Sequence, residues 1–185
     1  MQYEQAQAQV ISECSLALSR IDAEQSERLL ELIKQSEQVF FVGVGRVLLS
    51  LQAICKRFSH IGIKAHYVGE ITEPAITCKD LLIVGSGSGE SVIPVAIAKK
   101  AKKIGAKVAL IGSNRNSTIA QMADVFVRIP VQTKLNLPDE LQSQQPMTSL
   151  FEQCLLLYGD ALARLIIDRF EIDMPALWRC HANLE

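Results

Sequence analysis

Apolar residues recur at three- and four-residue steps through residues 2–35. Val10, Ile11, Cys14, Leu18 and Ile21 fall on one helix face, and Leu29, Leu30, Leu32 and Ile33 continue a second. Asp22 with Gln25 reads as a capping pair, so the run predicts two helices with a break near 20–22. The period then changes. Residues 39–44 are almost all apolar and rich in Val and Phe, as in a strand buried on both faces. Residues 46–61 return to helical spacing through Leu48, Leu51, Ile54, Cys55 and Phe58, and Gly62 closes them. Residues 64–69 and 80–84 predict a second and a third strand. Residues 91–104 predict a helix that tolerates Pro94 in its first turn. A fourth strand is expected at 107–111, a short helix at 117–122 and a fifth strand at 124–129. Strands alternating with helices at this rhythm pair in parallel, with helices on both faces.

Residues 130–146 are polar and broken by prolines, and irregular loops of this length often carry function. Residues 148–170 predict a long helix. The tail, 171–185, has no period, and its Trp178 is expected to dock on the body or on a neighbour. The expected architecture is a three-layer α/β/α sandwich around a five-stranded parallel sheet, in one domain spanning 1–185. It divides into N-terminal helices (1–35), a parallel core (39–129), a C-terminal helix (147–170) and the tail.

Composition narrows the class. A chain of 185 residues that is 49% hydrophobic and 21% charged is globular. A net charge of −1 gives no support for nucleic-acid binding through a broad basic face. Lys99, Lys100, Lys102 and Lys103 read as a solvated helix face. No apolar run approaches a membrane span, and the polar N-terminus lacks a secretion signal. Five scattered cysteines form no C-x-x-C pair, so neither a disulfide framework nor a metal site is indicated, and a cytoplasmic setting is expected.

The candidate chemistry gathers after the strands. Leu81-Leu82-Ile83-Val84 leads into Gly85-Ser86-Gly87-Ser88-Gly89-Glu90-Ser91, and a helix leads out. Such a loop offers close backbone approach, three hydroxyls and a helix N-terminus, which suits a phosphate; the alternative is a Gly/Ser turn with no ligand. Gly43-Val44-Gly45-Arg46, Gly69-Glu70 and Gly112-Ser113 also follow strands and should share that sheet edge. A dinucleotide site is disfavoured because the third glycine of the fingerprint is missing after Gly45, and no Walker lysine is present.

At these residues the chain resembles the sugar isomerase (SIS) domain family. Phe41-Val42-Gly43-Val44-Gly45-Arg46, Ser86-Gly87-Ser88-Gly89-Glu90-Ser91 and Leu110-Ile111-Gly112-Ser113 carry the likeness. Three further stretches resemble its 6-phospho-3-hexuloisomerase branch. They are Arg57-Phe58-Ser59-His60-Ile61-Gly62, Val68-Gly69-Glu70-Ile71-Thr72-Glu73-Pro74-Ala75-Ile76 and Ser149-Leu150-Phe151-Glu152-Gln153. The resemblance implies a five-stranded parallel sheet between helices and a homotetramer with sites near subunit contacts. It implies a sugar phosphate held by Ser86, Ser88 and Ser91. It implies an aldose/ketose-type isomerase, without cofactor, that interconverts 3-hexulose 6-phosphate and fructose 6-phosphate in the ribulose monophosphate route. The family usually reads Gly-x-Gly-Arg-Ser-Gly after the first strand. Here Val47 replaces that serine and offers no hydroxyl.

Moving a carbonyl between C3 and C2 needs a base for the proton on the neighbouring carbon and a donor that steadies the enediolate. Glu152 is the candidate base, where the resemblance places a carboxylate in the pocket; otherwise it is a first-turn Glu favoured by the helix dipole. His60 is the candidate acid/base between the oxygens, or a helix-end histidine on terminal carbonyls. Arg46 is expected to reach the phosphate or the enediolate, or to form a surface salt bridge. Gly45, Gly87 and Thr72 complete the expected substrate contacts, and Glu70 and Glu73 are expected to orient sugar hydroxyls or to cap a turn. His66 and His181 are read as structural. Two alternatives stay open: an isomerase of another sugar phosphate, and a non-catalytic phosphosugar sensor.

Overall fold

Five short strands stand at the centre of the computed structural model, which describes residues 1–184. In chain order the elements are α1 (Tyr3–Leu18), α2 (Ala23–Gln35), β1 (Val39–Val42), α3 (Gly45–His60) and β2 (Ala65–Tyr67). These are followed by β3 (Leu81–Gly85), α4 (Val92–Ile104), β4 (Lys107–Gly112), α5 (Thr118–Met122), β5 (Val125–Arg128) and α6 (Ser149–Arg169). A 3₁₀ helix, Met174–Cys180, gives the tail more order than its lack of period predicts. Trp178 within it is 76% exposed, so it does not dock deeply on its own chain. The last position of the expected tail, Glu185, lies outside the described residues.

All strand pairs are parallel, in the order β2-β1-β3-β4-β5. Alternation along the strands divides the core in two. Phe41, Ile83, Ala109 and Val127 pack with residues of α2, α3 and α6, whereas Phe40, Val42, Leu82, Val84 and Leu110 pack with α4 and α5. Both sides of the sheet are therefore covered, which is why β1 and β3 read as continuous apolar runs. The first side holds the larger side chains. Phe41 and Phe58 meet edge to face at 5.5 Å. Full burial of each such ring stabilises the fold by about 1.5–3 kcal/mol.

The helix boundaries follow local chemistry. α1 stops at Leu18, and Asp22 caps α2 by accepting from Glu24 N at 2.9 Å. Gln25 does not complete a capping box. Its Oε1 accepts from Arg128 N at 2.8 Å and ties α2 to the end of β5. α1 lies along α6, with Cys14 Sγ 3.4 Å from Gln153 Oε1. The Glu13 carboxylate accepts from Ser143 Oγ (2.6 Å) and Gln144 N (3.0 Å), clasping the loop that precedes α6. Of the lysines expected to be solvated, Lys102 instead pairs with Asp124 at 2.8 Å. Among the described residues, no helix is long and apolar enough to cross a membrane.

Candidate active site

The chain leaves β1 toward β2 and leaves β3 toward β4, so strand order reverses between them. A parallel sheet opens a crevice at the carboxyl ends of its strands at that point. Here the crevice has a volume of about 570 Å³. Gly45, Arg46 and Val47 line one wall, Ser86, Gly87, Ser88 and Ser91 another, and Thr148, Phe151 and Glu152 the third. A separate cavity of about 330 Å³, on the α4 side of the sheet, is lined mainly by Phe40, Val68, Leu82, Ile97 and Ile104. Glu73 and Lys100 are the charged side chains in its lining, and among the described residues no hydroxyl joins them to orient a polar substrate.

The loop after β3 is held from several sides. Ser86 N donates to Ile111 O, and Gly87 O accepts from Ser113 N and Asn114 N. The Glu90 carboxylate accepts from Thr118 N at 2.6 Å and Thr118 Oγ1 at 2.8 Å, binding the loop to the start of α5. Gly89 has φ +66°, and a Cβ there would lie 2.1 Å from Ser117 Oγ, so no other residue fits without displacement. Ser86 Oγ accepts from Gly89 N at 3.0 Å and Ser88 Oγ from Glu90 N at 3.3 Å. Each hydroxyl thereby keeps its own proton for a ligand. Ser91 is the N-cap of α4 but makes no side-chain capping bond. The loop thus presents hydroxyls and a positive helix end to the same crevice, a combination that suits an oxyanion.

Glu152 faces this loop from the first turn of α6 and is 7% exposed. Its Oε2 is ion-paired with Arg46 Nε, and its Oε1 accepts from Thr148 Oγ1 at 2.9 Å. Ser50 Oγ donates to Glu152 O at 2.9 Å, joining α3 to α6 beneath the carboxylate. One guanidinium and one hydroxyl therefore set the direction of the buried carboxylate. Val47 turns inward: its Cγ1 lies 3.1 Å from where a Cβ of either Gly43 or Gly85 would stand. The position where the resemblance implies a serine is filled here by a valine methyl packed at the ends of β1 and β3.

Not every expected residue joins this crevice. His60 is the last residue of α3 and Gly45 the first, so the helical rise puts them about 22 Å apart. The His60 ring stacks on His181 at 5.0 Å, and its Nδ1 is 3.4 Å from Arg57 Nη1. With Trp178 it lines a separate groove. Glu70 contacts His66, Oε1 to Nδ1 at 2.6 Å, at the β2 edge of the sheet. Thr72 is exposed on the loop that follows β2. Neither Glu70 nor Thr72 lines the crevice of its own chain. Conversely, Thr133, Lys134 and Thr148 line it and were not singled out from sequence. Thr133 and Lys134 lie shortly after a strand, which is the signal that picked out the other loops.

The SIS-domain profile matches residues 31–161. This chain belongs to the SIS domain family. A Bacillus subtilis member named 3-hexulose-6-phosphate isomerase is 36% identical over 178 residues, covering 96% of each chain. A Mycobacterium gastri member of the same name is 39% identical over 167 residues, covering 90% of this chain and 83% of that one. A crystal structure of a Methanococcus jannaschii protein, read by its authors as implying 3-hexulose-6-phosphate isomerase function, matches with a TM-score of 0.85. It is 27% identical and covers 98% of this chain and 99% of that one. The SIS fold accounts for the strand order, and the crevice at its reversal point is where the family's Ser-Gly loop lies in this chain.

Proposed function

We propose that this chain is a phosphosugar isomerase that interconverts 3-hexulose 6-phosphate and fructose 6-phosphate. The observation that carries the reading is a buried carboxylate, Glu152, aligned by Arg46 and facing the Ser-Gly loop across one crevice. The names borne by relatives of 36% and 39% identity over most of their length support the choice of substrate.

In this reading the loop at 86–91 holds the phosphate, with Ser86, Ser88 and Ser91 donating. Glu152 takes the proton from C2 of the 3-ketose. The electrons of the broken C–H bond form the C2–C3 double bond, and charge moves to the C3 oxygen. Arg46, beside Glu152, steadies that charge. Return of the proton to C3, with the carbonyl re-formed at C2, gives fructose 6-phosphate. A proton must also pass between the two oxygens, and His60 is assigned that step. Since His60 sits about 22 Å along α3 from Gly45, it reaches a crevice only from a second copy. Leu49, Val92, Ile93 and Met147 are exposed large apolar side chains on segments flanking the crevice, and association of copies into the expected tetramer would cover such surface. Glu70 and Thr72 are assigned to substrate hydroxyls through the same association.

The test is turnover of 3-hexulose 6-phosphate by the purified protein, read as fructose 6-phosphate formed. Sustained turnover is expected. Tight binding of fructose 6-phosphate with no turnover would instead mark a sensor.

A further inference from the structure

Among the described residues, two cations line the crevice, Arg46 and Lys134. Arg46 is ion-paired with Glu152, so that pair adds no net charge. A bound phosphate monoester brings a charge of about −1.5 to −2 near neutral pH. The start of α4 offers only about half a positive charge, and the serine hydroxyls none. Lys134 is the remaining positive charge in the lining.

Its position is set by the turn that carries it. Thr133 Cγ2 lies 3.1 Å from where a Cβ of Gly87 would stand, so residue 133 abuts the phosphate loop and residue 134 follows it. Glu140, 5% exposed, organises the turn. Its carboxylate accepts from Thr133 N (3.1 Å), Thr133 Oγ1 (3.0 Å) and Leu137 N (2.9 Å). Thr133 Oγ1 accepts from Leu135 N at 3.2 Å, bracketing residue 134 on both sides. Arg128 pairs with Asp139 at 2.6 Å and donates from Nε to Ser113 O, anchoring the turn to β5 and to the end of β4. A buried acid satisfied by backbone and hydroxyl donors, next to a lysine at a crevice, is a device for aiming that lysine.

We propose that Lys134 is the cation that pairs with the substrate's phosphate, and that Glu140 is the positioning residue for the turn that carries it. The assignment rests on reading the crevice as a sugar-phosphate site. Arg46 and Glu152 then work at the reacting carbons, and Lys134 works at the far end of the substrate.

The experiment measures fructose 6-phosphate and inorganic phosphate affinity by calorimetry for the full chain, for Lys134→Ala, Lys134→Arg and Glu140→Gln, and for the double variant. Lys134→Ala is expected to weaken fructose 6-phosphate binding about tenfold to a hundredfold, the range for a hydrogen bond to a charged group. In turnover it raises KM and leaves kcat within about threefold, the pattern of lost uniform binding. Lys134→Arg restores most of the affinity. Glu140→Gln weakens binding in the parent but not in the Lys134→Ala background, because it acts through the lysine. Lys134 is exposed, so its replacement leaves the fold intact even where Glu140→Gln does not fold. Parental affinity in Lys134→Ala overturns the assignment alone. A parent that binds without turnover removes the isomerase reading and leaves this comparison readable. A parent that binds neither ligand removes both.

Discussion

Glu152→Gln separates catalysis from scaffolding at one position. The replacement keeps the volume and the acceptor for Thr148 Oγ1, and it removes the charge that Arg46 faces. Arg46 is 66% exposed at its side chain while that of Glu152 is 9% exposed, so solvent screens the pair. Its loss costs about 1 kcal/mol or less, which lowers Tm by about 2–4 °C for a chain of this length. Removing a general base costs about 10²–10⁴-fold in rate, or about 2.7–5.4 kcal/mol of barrier. The two effects differ enough to be told apart. The assay compares kcat on 3-hexulose 6-phosphate, affinity for fructose 6-phosphate and thermal unfolding of both proteins. The expected result is a collapse of kcat with near-parental Tm and binding. Parental kcat in a folded variant would refute the base assignment. A fall in Tm far beyond a few degrees, with activity lost only in proportion to unfolded protein, would make Glu152 a structural residue.

Four other outcomes are expected. Co-expressed Glu152→Gln and His60→Ala chains, each inactive alone, recover about a quarter of parental activity by random assortment if a neighbour supplies His60; no recovery would place the second group elsewhere. Gly89→Ala loses about 1–2 kcal/mol from the left-handed backbone and about 1–3 kcal/mol from the clash with Ser117, seen in urea unfolding and as lost phosphate affinity; an unchanged denaturation midpoint would contradict the loop geometry. Val47→Ser gives up packing worth about 1 kcal/mol and gains a hydroxyl, so fructose 6-phosphate should bind about two- to tenfold tighter; weaker binding would show that the valine suits the ligand better. For Glu13, burial opposes the charge, but hydrogen bonds from Ser143, Gln144, Gln145 and Gln9 outweigh it and hold the carboxyl below its ordinary value of 4.5. A lowered folded value means that this stabilisation is present above pH 4.5 and is lost as pH falls through the folded value. Amide protection at 143–145, corrected for intrinsic exchange, should drop in that range, and constant protection would contradict it.

The strands and the 86–91 loop were legible because burial on both faces and glycine-rich turns leave local signatures. Gln25 was misread as a cap because its partner, Arg128 N, is 103 positions away. Thr133 and Lys134 were hidden in a segment without period, whose order comes from the buried Glu140 rather than from a repeating pattern. The separation of His60 from Gly45 was readable from helix rise alone, since both lie on α3. Glu70 was read as a contact to sugar hydroxyls or a turn cap, and in the chain it also meets His66, four positions earlier. That contact spans four positions but joins a strand to the loop after it, so no helix face announces it. Arg46 was expected at the ligand or in a surface pair, and its partnership with Glu152 crosses 106 residues.

That last contact also has a consequence for biosynthesis. α6 supplies Leu150, Phe151, Cys154 and Leu155 to the larger half of the core, which Phe41, Leu51 and Ile83 share. A chain emerging from the ribosome amino end first completes all five strands before α6 exists. Until then that half of the core lacks its last wall. The helix that seals it is the one that carries Glu152. Docking of α6 therefore both closes that half of the core and buries the Glu152 carboxylate.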